Sequence, residues 1–110
     1  MSVVTGIVLC ASCGEPEFPE LANGDAGDPI WLVAVNGWLA EKSKIWRLDL
    51  VEDDFGGGKH PQMRVAGGGF NYFPEDEFLE FIKNHPWETP DNVVLIMQPE
   101  DGPTRVWQGT

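Results

Sequence analysis

Residues 65–82 read VAGGGFNYFPEDEFLEFI, and this stretch decides the fold. It joins a short apolar strand signal, three successive glycines, an aromatic cluster and an acidic helix start. A glycine-rich turn ahead of a helix can cradle a phosphate on backbone N–H groups. Glu75, Asp76 and Glu77 argue against that use: they fill the first helical turn, already compensate the positive end of its dipole, and would repel a phosphate. The stretch reads as strand, glycine turn and helix, with an acidic surface suited to docking. Phe78, Leu79 and Ile82 share one face of a helix expected over residues 74–84, Phe81 extends that face, and Pro86 stops it.

Toward the N-terminus, residues 2–11 (SVVTGIVLCA) are β-branched and apolar. That pattern predicts a central strand with both faces covered. An acidic loop, expected to be mobile, follows at about residues 12–28. Asp28 is the expected N-cap of the next helix, with Pro29 at its first position. Trp31, Ala34, Val35, Trp38 and Leu39 then follow the spacing of a buried helical face, and Gly37 offers a close approach to the sheet. Residues 45–52 alternate, with Trp46 and Leu48 opposite Ile45 and Arg47, and predict a strand. Gly56, Gly57 and Gly58 lie in the following hairpin. Residues 62–66 predict a strand ending at Gly67, Gly68 and Gly69. Residues 92–98 (NVVLIMQ) predict a second buried strand, and 104–108 a short edge strand.

The resulting order is β-α-β-β-α-β-β. Its first six elements match the ferredoxin-like split β-α-β plan, an α+β fold with the helices on one face of an antiparallel sheet and an extra C-terminal edge strand. The 110 residues are expected to form one domain. A chain of that size buries roughly two-thirds of its unfolded surface without a metal or disulfide staple.

Eighteen Asp and Glu against seven Lys and Arg give a formal net charge of −11. No basic stripe exists to follow a nucleic-acid backbone or an anionic membrane, which excludes both as direct partners. A basic protein partner fits the charge. Residues 2–11 have no basic residue before them and are too short to span a bilayer, so the sequence predicts a cytoplasmic protein with reduced thiols.

The chemical motifs are incomplete. Cys10 and Cys13 form a C-x-x-C, but Gly14, Glu15, Pro16, Glu17 and Pro19 follow, where a redox motif needs a helix N-terminus. A zinc site from Cys10, Cys13, His60 and His85 matches no finger spacing. Gly56, Gly57, Gly58 and Lys59 resemble a phosphate loop, yet Asp53 stands where the first glycine belongs and His60 where the hydroxyl belongs. Asp49, Glu52, Asp53 and Asp54, with Glu100 and Asp101, offer carboxylates to a hard cation without EF-hand spacing. His60 lacks a nucleophile in a recognisable elbow, and His85 sits where it caps a helix C-terminus. No metal or cofactor is expected, and no catalytic set is complete.

The expected function is therefore non-enzymatic: a small protein-binding module, of the inhibitor or immunity type or a phage-encoded antagonist, docking on a basic partner. The residues expected to bind it are Asp53, Asp54, Tyr72, Glu75 and Asp76. Of the other aromatics, Phe70, Phe73 and Trp87 are expected to pack the second helix onto the sheet, one as a staple against Phe78. Alternatives are a nucleic-acid mimic occupying a DNA-binding protein, a self-associating subunit of a larger phage-like assembly joined through its C-terminal edge strand, and a small metal-dependent enzyme.

Overall fold

A computed structural model describes residues 3–18, 28–51, 56–59 and 61–109. In chain order its elements are β1 (Val4–Ser12), α1 (Ile30–Lys42), β2 (Asp49–Val51), β3 (Met63–Asn71), α2 (Glu75–Asn84), a 3-10 turn (Pro90–Asn92), β4 (Val94–Pro99) and β5 (Arg105–Gln108). The described residues form an α+β fold: two helices and a five-stranded sheet in the order β2-β3-β1-β4-β5. Every neighbouring pair of strands is antiparallel.

β1 lies at the centre. Its register with β3 runs from Val4↔Asn71 to Ser12↔Met63, and with β4 from Thr5↔Pro99 to Cys10↔Val94. Strand periodicity sends Thr5, Ile7, Leu9 and Ala11 to one face, where all four are buried. Trp31, Leu32, Val35 and Leu39 of α1 and Phe78 and Ile82 of α2 close over that face in one core. Burying side chains of this size stabilises the fold by about 1.5–3 kcal/mol each. The other face departs from expectation. Val4 and Val8 remain 36% and 37% exposed, so β1 is central but the described residues cover only one of its faces.

The glycine triplet does not end β3; it lies inside it, at Gly67↔Val8, Gly68↔Ile7 and Gly69↔Gly6. Gly68 points to the core, where a Cβ would lie 3.0 Å from Phe70, 3.1 Å from the Arg47 carbonyl and 3.2 Å from Leu48. The strand continues through glycine because the chain entering β2 passes too close for a side chain. β2 is shorter than the alternation of residues 45–52 predicts. Asn36 accounts for this: its Oδ1 accepts from Leu48 N at 2.8 Å and its Nδ2 donates to Leu48 O at 3.1 Å. Leu48 thus satisfies its backbone on a helix side chain, and strand pairing begins only at Asp49. Ile45 is left 86% exposed.

The helix starts also differ in detail. Pro29, not Asp28, occupies the cap of α1, with no side-chain cap bond. Asp28 instead accepts Phe18 N through its carbonyl, and Ile30 N donates to Pro16 O, so residues 16–18 and 28–30 close on each other. The expected mobile loop is therefore held at both ends, and its residues 19–27 lie outside the described set. Gly37 faces solvent with no atom within 4 Å of an added Cβ, so it provides no close approach to the sheet. Trp38 is half-buried and spans the helices, stacked on Phe81 at 5.7 Å and tilted against Phe78 at 5.4 Å. At the start of α2, Phe73 meets Phe78 edge-on at 5.2 Å, the expected hydrophobic staple.

Candidate functional site

The antiparallel register brings three of the expected binding residues to one end of the sheet. Asn71 pairs with Val4 at the start of β1. Tyr72 N donates to Val3 O, and Glu100 N donates to Val4 O from the end of β4. Tyr72, the start of α2 and the β4–β5 turn therefore gather around the first residues of β1. The sequence placed Tyr72, Glu75 and Asp76 near one another by proximity in the chain. It did not signal that Glu100, Asp101 and Arg105 join them, because that juxtaposition depends on β4 lying beside β1.

These side chains have different tasks. Tyr72 is 68% exposed, and its backbone has φ 52°, the left-handed region. That conformation costs a non-glycine residue about 1–2 kcal/mol. It lets the chain leave β3 and enter α2 within three residues. Glu75 is mostly covered: its Oε2 accepts from the buried Thr5 hydroxyl at 3.0 Å, and its Oε1 lies 3.4 Å from Arg105 Nη1. Asp76 is open to solvent, with its side chain 90% exposed, and meets the same guanidinium at 2.9 Å. The Asp76 hydrogen bond chiefly, and Glu75 after it, push the Arg105 pKa up. Glu100 Oε1 accepts from Val4 N at 2.6 Å, and Asp101 is exposed beside it. The carboxylates of Glu75, Asp76, Glu100 and Asp101 outnumber the one guanidinium among them, so this end carries net negative charge. Further along α2 the acids are matched by bases, Glu77 with Lys42 at 2.9 Å and Glu80 with Lys83 at 3.9 Å. Asp53 and Asp54 lie outside the described residues.

The opposite end of the molecule is held by a buried carboxylate that sequence reading treated only as part of the acidic loop. Glu15 is 4% exposed. Its two oxygens accept from Glu88 N at 3.1 Å, Thr89 N at 2.8 Å and Thr89 Oγ1 at 2.8 Å. It ties the chain after β1 to the turn after α2. The neighbouring His85 caps α2, its N–H donating to Ile82 O, and packs edge-on to Trp87 at 4.5 Å. Burial lowers the His85 pKa from its ordinary 6.5, and the Glu15 charge only partly opposes this. The expected capping residue is thus in place, but its surroundings disfavour the cationic form.

Cys10 is half-buried and Cys13 is exposed; neither forms a disulfide. Cys13 Sγ lies 3.4 Å from Pro61 O, and burial pushes the Cys10 thiol pKa up, away from the reactive thiolate. A cavity of about 470 Å³ opens at the Ser12 end of the uncovered sheet face, lined among others by Cys10, Met63, Val94 and Asp91. Among the described residues no group of three or more His, Cys, Asp or Glu is placed to hold a metal ion. No helix among them is long and apolar enough to cross a membrane. Comparison of the chain with protein-family models, with curated proteins and with solved structures gives no match.

Proposed function

We propose that this chain is a small, acidic, non-enzymatic protein-binding module of the inhibitor or immunity type, acting in the cytoplasm on a basic partner. The observation that carries the reading is the sheet end that exposed Tyr72 shares with Asp76, Glu100 and Asp101 around the first residues of β1. A rigid aromatic amid solvent-facing acids has the composition of a docking anchor: the ring supplies contact area and the carboxylates steer a basic surface toward it. Its left-handed backbone, required by the β3–α2 turn, is of a kind that also clusters at ligand-binding positions. Two unpaired thiols agree with a reducing compartment.

The scaffold of this reading is a ferredoxin-like split β-α-β domain with β5 added at one edge. Its support is the order β2-β3-β1-β4 with antiparallel neighbours: β3 returns between β1 and β2, as that plan requires. The test is capture of the basic partner from the native host on the tagged chain, then its affinity for the wild type, Tyr72→Ala and the double variant Asp76→Lys/Asp101→Lys at low salt. The module reading predicts weakened binding in both variants and a smaller salt dependence in the second. Unchanged affinity at low salt in both variants sinks it.

A further inference from the structure

An antiparallel sheet with one face in water normally alternates apolar inward and polar outward positions. This sheet does not. The registers place Val4, Val8, Val51, Met63, Ile96 and Val106 on the face away from the helices. Val51, Met63 and Val106 are 44%, 48% and 65% exposed. Among the described residues α1 and α2 pack on the opposite face, and the 3-10 turn Pro90–Asn92 reaches this one at its Ser12 end. Among the described outward-facing strand positions the one charge is Asp49, already met by Arg47 at 3.0 Å. The sequence of β1 calls for cover on both faces, and the described residues supply it on one. A patch of this kind marks an interaction surface.

We propose that a second copy of this chain covers the open face, in a two-fold dimer packed sheet on sheet. Three features favour this occupant. The chain carries net charge −11, so two copies repel wherever their acids meet; this face, where Asp49 is met by Arg47 and Asp91 lies only at the cavity end, lets them meet at least Coulomb cost. The same scarcity of charge gives a basic partner little to pair with here. The face is also self-complementary. Gly6 and Gly69 are cross-strand partners, and with Gly67 they leave a trough bare of side chains. Beside it, Val8, Ile96 and Val106 form a ridge across β1, β4 and β5. A two-fold axis through the face seats each ridge in the other copy's trough, at the sheet spacing of about 10 Å. The area also suffices. Five strands spaced about 4.8 Å apart, over about 20 Å of their length, give a footprint of about 500 Å² per copy. Doubled, this reaches the roughly 1,000 Å² that a specific interface needs, at the weak end of the range. A dimer of micromolar affinity is expected.

Sedimentation velocity on the full chain, from low micromolar to millimolar concentration, tests this together with three variants. The wild type is expected to pass from monomer to dimer over that range. Val8→Lys places a charge at the centre of the face and is expected to weaken the dimer about tenfold or more. Gly69→Val fills the trough, while its Cβ meets Val4 at an ordinary 3.6 Å. A β-branched residue suits a strand better than glycine, so its monomer is expected to melt no lower than wild type while its dimer weakens by a similar factor. Asp76→Lys, at the acidic end, is expected to leave the dimer intact, which separates this proposal from the docking function. A wild type that stays monomeric throughout overturns the proposal, whether a different protein or residues 19–27 cover the face. So does a dimer that survives Gly69→Val. If Val8→Lys fails to fold, Gly69→Val decides.

Discussion

Replacing Glu15 by Ala tests the energetics of the scaffold that holds the candidate site. The carboxylate is buried and accepts three hydrogen bonds, two from backbone N–H groups and one from the Thr89 hydroxyl. Bonds to a charged acceptor contribute about 1.5–3 kcal/mol each, so simple addition gives about 5–9 kcal/mol. That sum is too large, because the three bonds share one acid group and are not independent. Water also reaches the partly exposed Glu88 and Thr89 once the carboxylate is gone. A loss of about 3 kcal/mol is the expected value, against a total stability of roughly 5–15 kcal/mol for a domain. With a urea dependence of about 1.5 kcal/mol/M, the unfolding midpoint falls by about 2 M. Thr89→Val removes one donor of the three and is expected to cost about 1 kcal/mol. In the double variant the two losses are less than additive, by about 1 kcal/mol, since they remove the same bond. Equilibrium urea unfolding of the four proteins checks this. A Glu15→Ala loss below about 1 kcal/mol would refute the reasoning. It would mean that the segment after β1 is not held by this carboxylate.

Other measurements probe the fold at separate points. Gly68→Ala forces a Cβ against the Arg47 carbonyl, Leu48 and Phe70 and is expected to cost about 1–3 kcal/mol by overpacking, whereas Gly69→Ala one residue on should be neutral in the same thermal melts. Asn36→Ala removes both bonds to Leu48, should lose about 1–3 kcal/mol, and should raise hydrogen exchange at the Leu48 amide. His85 binds its proton less readily folded than unfolded. Over the window below its ordinary value of 6.5 the unfolded chain takes up that proton first, so this residue's contribution to stability falls as pH falls. The stability difference between wild type and His85→Gln should therefore shift against wild type between pH about 7 and 5, and an NMR titration should give His85 a midpoint under 6.5. A midpoint at or above that value contradicts the burial argument.

The sequence was legible wherever periodicity and local chemistry acted together. α2 follows from its apolar spacing, its acidic first turn and Pro86, and its staple from Phe73 and Phe78. The order of elements and the edge position of β5 follow as well. Long-range contacts were not legible. The glycine triplet looked like a turn because strand glycines are rare; it pairs as a strand with β1, and its middle residue is glycine because Arg47 and Leu48, in the chain entering β2, crowd Gly68. β2 looked longer because Asn36 carries no sequence signal of its bond to Leu48. Glu15 looked like loop charge because its three donors lie more than 70 residues away. At the candidate site, Tyr72, Glu75 and Asp76 were readable from the chain, while the arrival of Glu100 and Arg105 depends on sheet order. β1 announced two covered faces, and that signal is what the proposed dimer explains.

The docking reading meets its most direct test in parallel capture from the native host, after nuclease treatment, with the tagged wild-type chain and the tagged Asp76→Lys/Asp101→Lys variant. The proposed function predicts one stoichiometric basic protein on the wild type, released by salt and depleted on the variant. Equal recovery on both, or no basic protein on either, would contradict it.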